Sequence, residues 1–207
     1  MLSSLSRLRL LSGALLLATA LAPAACRHLE YVSLRPLEEA GFHYNAVHQL
    51  EQLDLTKPEV DELVKAVKGG VNDETCVLLI RVARGQKTRF AEGDAAASAH
   101  AAGIADPTIV ELAQLRQLGP WAGEAGAIRL TGNSDRVIAA VAKRRAAGQP
   151  VPSGASLARM KDAGVSEATI IELLQNGINE EDATAIAFRK KKGWKDEQIL
   201  QDFPPKS

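Results

Sequence analysis

The sequence predicts an all-α protein, an array of about six short helical hairpins after a cleaved signal peptide. Three observations carry this reading. Glycines at 41, 70, 103, 132, 164 and 193 sit at a recurring helix-stop signal, with spacings of 29, 33, 29, 32 and 29 residues. Apolar residues flank each glycine at the i, i+3, i+4 spacing of a helix. No stretch sustains the alternation that a half-buried strand requires. The spacings alternate, so a longer period is present: 62 residues from Gly41 to Gly103 and 61 from Gly103 to Gly164. Hairpins of about 30 residues cannot bury an apolar face alone and must stack on their neighbours.

The turn has a physical reading at each position. Gly70, Gly103, Gly164 and Gly193, the best copies, supply the left-handed residue that ends a helix. The apolar residue after each (Val71, Ile104, Val165, Trp194) is expected to pack back on the last turn. Asn72, Ser134 and Ser166 are N-cap types. Asp73, Asp106, Asp135, Glu167 and Asp196 place an acid at the start of the second helix, where the dipole favours it. The downstream apolar pair sits six and seven residues after the four best glycines but five and six after Gly41 and Gly132. Those two copies are therefore expected to carry a one-residue deletion.

In chain order, residues 1–25 read as the signal peptide, 26–33 as a spacer, 34–88, 89–150 and 151–203 as three hairpin pairs, and 204–207 as a tail. Leu34 to Ala40 and Asn45 to Leu53 form a weak first hairpin around Gly41. Thr56-Lys57-Pro58-Glu59 is a capping box, and Val60, Leu63, Val64 and Val67 follow as a helical stripe. Asn72 starts the next helix, in which Cys76, Val77 and Ile80 face inward. Gly85-Gln86-Lys87-Thr88 is a linker. An Ala-rich helix from Ala91 to Ala102 turns at Gly103, and Ile109, Val110 and Leu112 continue it. Gly119 and Pro120 are expected to break the chain, leaving Trp121 to Leu130 irregular. A helix from Asp135 to about Ala147, a linker at Gly148-Gln149-Pro150-Val151-Pro152, and the turn at Gly164 follow. Asn179 with Asp182 three residues on opens the last pair, and Ile199, Leu200 and Phe203 close it.

Hydrophobic residues are 46% and aromatics 4%, so the core must be built from Ala, Leu, Ile and Val. With 25 basic and 25 acidic residues the formal net charge is zero, and loss of Arg7 and Arg9 with the signal peptide would leave −2. That excludes a broad basic face for nucleic acid.

Arg7 and Arg9 precede a charge-free stretch from Leu10 to Ala22, the length of a signal-peptide h-region rather than a membrane span. Leu21-Ala22-Pro23-Ala24-Ala25-Cys26 resembles a bacterial lipobox, with Pro23 where that family favours Leu. The resemblance implies lipid attachment at Cys26 and a tether to the bacterial membrane. The alternative is cleavage at Ala22-Pro23-Ala24, giving a soluble periplasmic chain. Ala163-Gly164-Val165-Ser166-Glu167 with Thr169-Ile170-Ile171 resembles the short helical hairpins of uncharacterised bacterial envelope lipoproteins, over about 55–118 and 152–203. With Met160 and Gly164 in place it also looks like the turn of ubiquitin-associated domains, and like short C-terminal oligomerisation segments of bacteria.

These resemblances imply a membrane-tethered helical scaffold that binds an envelope protein or itself. The alternative is nucleic-acid binding through helix-hairpin-helix-like turns. Such turns carry a second glycine, and here Asn72, Ala105 or Ser166 stands there with an acid next in three of them. The basic runs Lys143-Arg144-Arg145 and Arg189-Lys190-Lys191-Lys192 are what would favour it. No catalytic, metal or cofactor site is expected. His28, His43, His48 and His100 are scattered, His43 and His48 are not at the i, i+4 spacing of a helical metal pair, and no phosphate loop or nucleophile elbow occurs. Cys76 reads as a small buried hydrophobe.

Overall fold

The computed structural model describes residues 32–206 of the chain. The expected signal peptide, most of the spacer, and Cys26 lie outside the described residues. Twelve helices follow one another, and no strand occurs among the described residues. They are α1 (Arg35–Ala40), α2 (Tyr44–Glu51), α3 (Lys57–Lys68), α4 (Asp73–Gly85), α5 (Gly93–Ala101) and α6 (Asp106–Gln114). The second half continues with α7 (Leu118–Leu130), α8 (Asp135–Ala146), α9 (Gly154–Asp162), α10 (Glu167–Asn176), α11 (Glu180–Lys191) and α12 (Asp196–Asp202).

Each odd-numbered helix packs on the next odd one, from α1 to α11, and each even-numbered helix on the next even one, from α2 to α12. The result is a two-layer stack of hairpins in which each hairpin touches its neighbours and no others, the arrangement of a solenoid. All odd helices run toward the edge that carries the Gly turns, here the turn edge. All even helices run away from it, toward the connector edge. One continuous apolar core lies between the layers, with Leu37, Leu63, Ile80, Ile109, Ile138 and Leu173 fully buried. Burial of each such side chain stabilises by roughly 1.5–3 kcal/mol.

The turn glycines all adopt the left-handed region, with φ from 81° at Gly132 to 101° at Gly41. The Schellman bond closes behind them: Val71 N–H donates to the Ala66 carbonyl (3.1 Å), Ile104 to Ala99 (3.1 Å), Val165 to Met160 (3.1 Å) and Trp194 to Arg189 (3.2 Å). Trp194 is the exception to inward packing, at 37% exposure on the last hairpin. The hairpin connectors stop in the same way without always using glycine. Asp54, Lys87 and Arg116 have φ of 48°, 57° and 57°, where Gly148 and Gly177 serve the other two.

Three sequence expectations need correction. The stretch from Trp121 is not irregular: α7 is 13 residues long and Gly119 and Pro120 lie inside its first turn. Proline needs no N–H there, and Gly126 admits Ala102, whose Cβ would lie 3.0 Å from a Cβ at that position. These glycines serve close helix packing rather than chain breaking. The turns at Gly41 and Gly132 carry no deletion either. Their N-caps, His43 and Ser134, fall two residues after the glycine, as Asn72 does after Gly70. Val47 and Ile138 occupy the same buried place as Cys76, and the seventh place holds His48 and Ala139 where Val77 and Val110 stand elsewhere. Finally, Ser134 sits at an N-cap position but its side chain makes no cap bond, unlike those of Asn72 and Ser166.

Candidate functional site

Cys26, the expected lipid site, lies outside the described residues. Gly70, Gly103, Gly164 and Gly193 line up along the turn edge, and the polar chemistry of the molecule is concentrated beside them.

The Asp that opens α4, α6, α8 and α12 does more than favour its own dipole. It reaches back and accepts the N-cap N–H of the preceding even helix. Asp73 Oδ2 accepts from His43 N (2.9 Å), Asp106 from Asn72 N (3.0 Å), Asp135 from Ala105 N (2.8 Å) and Asp196 from Ser166 N (3.0 Å). Thr108 and Thr169 add hydroxyl donors to the same oxygens of Asp135 (3.1 Å) and Asp196 (2.9 Å). A basic residue three positions before the turn glycine completes the set. His100 Nδ1 lies 2.9 Å from Asp106, Arg129 Nε lies 3.4 Å from Asp135, and Lys190 pairs with Asp196. Burial works to raise the Asp196 carboxyl, but Lys190, Ser166 and Thr169 outweigh it and hold the group well below the ordinary carboxylate range. Burial is likewise outweighed at Asp73, where the His43 backbone and ring lower the carboxyl.

The same basic residues cover the glycine of the hairpin before them. A Cβ on Gly70 would meet the His100 ring at 2.8 Å, and one on Gly164 would lie 3.8 Å from Lys190 Cε. Arg129 Nε donates to the Gly103 carbonyl (2.9 Å), and Lys161 donates to that of Gly132. The turn edge is thus a ladder of carboxylate struts and basic covers that fixes each hairpin on the last.

The connector edge carries the one fully buried acid among the described residues. Glu59, at the third position of α3, is fully buried and faces two arginines. Arg84 grips it twice (2.5 and 3.0 Å) and Arg89 once (3.2 Å). The N–H groups of Thr56 (3.0 Å) and Phe90 (3.1 Å) and the Thr56 hydroxyl (2.8 Å) also donate to it. Burial alone would raise this carboxyl, but those donors, Arg84 foremost, hold it at about 2. The expected capping box therefore contributes its carboxylate arm, and that arm also clamps the connector 86–92. The sequence showed the box but not the arginines that meet it.

Six of the seven residues of the basic runs are engaged within the chain, and Lys191 is exposed. Lys143 pairs with Glu111 (2.9 Å), Arg144 donates to the Leu174 (2.7 Å) and Pro150 (2.8 Å) carbonyls, and Arg145 lies 5.4 Å over Trp121. Arg189 pairs with Asp202 (2.8 Å) and stacks between Phe203 and Trp194, while Lys192 lies over Phe188 at 5.4 Å. His48 stacks on Tyr44. Glu180 is lowered first by the Ser153 N–H and then by the Ser156 hydroxyl, so it too joins neighbouring hairpins. Cys76 is fully buried, and burial pushes its thiol up to about 12. Among the described residues no three His, Cys, Asp or Glu side chains converge as a metal ion requires, and no helix is long and apolar enough to cross a membrane.

A groove of about 410 Å³ lies over α8, floored by Ala139 and Ala140 and walled by Glu111 of α6 and Ile171 and Gln175 of α10. It exists because Ala139 stands where the neighbouring even helices carry Val110 and Ile171. Two repeat signals in the sequence mark the turn-edge contacts: the threonine three residues after the N-cap (Thr75, Thr108, Thr169) and the basic residue three before the glycine (His100, Arg129, Lys161, Lys190). No protein-family model, curated protein or solved structure matches this chain.

Proposed function

We propose that this protein is a lipid-tethered helical scaffold of the bacterial cell envelope, held to the membrane through Cys26 and offering its stacked hairpins to a protein partner. The observation that supports the reading best is how the polar residues are spent. Four of the recurring acids and the basic side chains of Lys65, Arg129, Lys143, Arg144, Arg159 and Lys161 join one hairpin to the next. What the stack then presents outward is extended and mixed in character, with Leu78, Leu130 and Phe188 exposed at 44%, 77% and 62%. Such surfaces suit protein recognition. The lipobox-like stretch before Cys26 supports the address.

The nucleic-acid alternative has less behind it. All but Lys191 of the basic runs that favoured it are paired with carboxylates, carbonyls and rings of the same chain. Salt-sensitive binding of the full chain to duplex DNA would revive it.

Two measurements test the proposal. Metabolic labelling with an alkyne fatty acid should mark the wild-type chain and not Cys26→Ser; an unlabelled wild type removes the tether. A photo-crosslinking residue placed at Leu78, Leu130 or Phe188 in living cells should yield a discrete protein adduct from at least one face. Absence of adducts from all three positions rejects the scaffold reading.

A further inference from the structure

The stack has five joints between successive even helices, and one of them is built differently. At four joints an Asp strut crosses the turn edge, from Asp73, Asp106, Asp135 and Asp196. At the α8–α10 joint the acid is Glu167, and no bond links it to Ser134 among the described residues. Ser134 Oγ is buried without a hydrogen-bond partner. Asn133 takes the slot that Val71, Ile104 and Val165 fill with apolar side chains. It is buried; its side chain bonds Thr131 Oγ1 (2.9 Å) and its carbonyl accepts from Arg129 (3.0 Å). A single side chain, Lys161, links the turn edge there, through the Gly132 carbonyl.

The connector at this joint is also less constrained. Connectors 86–92 and 147–153 have equal length. The first is clamped by buried Glu59 through Phe90 and Arg89. The position of α7 that matches Glu59 in helix register is Pro120, which has no carboxylate to offer. The second connector is tied to α11 through Ser153 and Glu180 (2.6 Å), but toward α8 it is held by Arg144, which bonds the Pro150 carbonyl and the Leu174 carbonyl of α10. Across the same joint α8 presents Ala139 and Ala140, and the groove opens there.

We propose that the α8–α10 joint is a hinge. Residues 32–147 and 153–206 move as two bodies, pivoting at Arg144 on the connector edge and parting between Ser134 and Glu167 on the turn edge. The groove lies across this joint, with Ala139 on one body and Ile171 and Gln175 on the other. Its width therefore follows the hinge. The missing strut and the small residues are two separate departures at one place, which distinguishes a built feature from a single poor contact. The inference depends on neither the lipid tether nor a partner.

The test uses matched distances. Glu74, Arg136 and Glu197 are each the second residue of an even helix. The pairs Glu74–Arg136 and Arg136–Glu197 therefore each span two joints, the second pair crossing the hinge. Spin labels go on Glu74→Cys/Arg136→Cys and on Arg136→Cys/Glu197→Cys in the full chain carrying Cys26→Ser, with Cys76 shielded by burial. Pulsed electron resonance should give a distance distribution at least about twice as broad for the second pair. Glu167→Asp, which offers the missing strut, should narrow that distribution and slow amide exchange at Ser134 by about tenfold or more, with Asn72 and Ala105 unchanged. Equal widths for the two pairs overturn the hinge, as does a Glu167→Asp chain that folds and leaves the width unaltered. Should Glu167→Asp fail to fold, the comparison of the two pairs decides alone.

Discussion

Replacing Glu59 by Gln should destabilise the protein by about 3 kcal/mol, and two routes lead to that figure. The carboxyl falls from an ordinary 4.5 to about 2 on folding, and at about 1.4 kcal/mol per pKa unit this is about 3 kcal/mol of preferential stabilisation of the charged form. Independently, breaking a buried ion pair costs roughly 3–5 kcal/mol because the surviving charge is stranded. The Arg84 side chain keeps 26% of its exposure, which places the cost at the low end. Urea unfolding at pH 7 reads the difference directly. The pH dependence gives a second reading. A depressed acid stabilises above its unfolded pKa and ceases to do so as the pH falls through its folded value. The advantage of wild type over Glu59→Gln should therefore be full above about pH 5 and shrink between 4.5 and about 2. The double variant with Arg84→Met should recover part of the loss, with a coupling of roughly 1–3 kcal/mol. A loss under about 1 kcal/mol, or strict additivity with Arg84→Met, would refute the buried clamp.

Alanine at the turn glycines should rank by what the new Cβ meets. Gly70→Ala, which drives a Cβ to 2.8 Å from the His100 ring, should lower stability more than Gly193→Ala, where nothing lies within 4 Å. The latter should still lose about 1 kcal/mol for its left-handed backbone, as measured by thermal unfolding. Arg116→Gly should raise stability by about 0.5–1 kcal/mol in the same assay, because Arg116 is an exposed residue at φ 57°. Cys76 should resist thiol reagents in the folded chain and react at the rate of global opening, since it is fully buried with its thiol pushed up to about 12; labelling followed by mass spectrometry checks this.

The fold was legible because the stop signal is local. Gly164 with Val165 and Ser166 specifies a left-handed residue, an inward anchor and an N-cap within three positions, and repetition reveals the stack. Connectors were harder. Lys87 and Arg116 carry the same left-handed conformation with no glycine to announce it. The reading of α7 failed because Gly119, Gly123 and Pro120 lower helix propensity, whereas packing on α5 and α9 decides the outcome. The acids were assigned to their own helix, a correct but partial account, because the second N–H that each one serves lies about 30 residues away in sequence. Glu59 was hidden for the same reason: the capping box is local, and Arg84 and Arg89 are not.

The strut explains why the recurring acid is Asp and not simply any anion. Even helices lie side by side and start at one edge, so their positive dipole ends are neighbours and repel. A carboxylate between two such ends serves both, accepting from the earlier N-cap while standing in the first turn of its own helix. Asp106 does this for Asn72 (3.0 Å) and also meets His100 (2.9 Å). One methylene more, as at Glu167, preserves the charge but not the bond across the joint. Asp106→Glu should therefore lose about 1 kcal/mol in urea unfolding, near the ordinary worth of a hydrogen bond, and amide exchange at Asn72 should quicken while that at Ala105 does not. Asp106→Asn should keep the bond to Asn72 but give up the attraction to both dipole ends, with a loss of similar size that shrinks in high salt. If Asp106→Glu were as stable as wild type with Asn72 equally protected, the acid would be acting through charge alone. The difference between the α8–α10 joint and its neighbours would then need another cause.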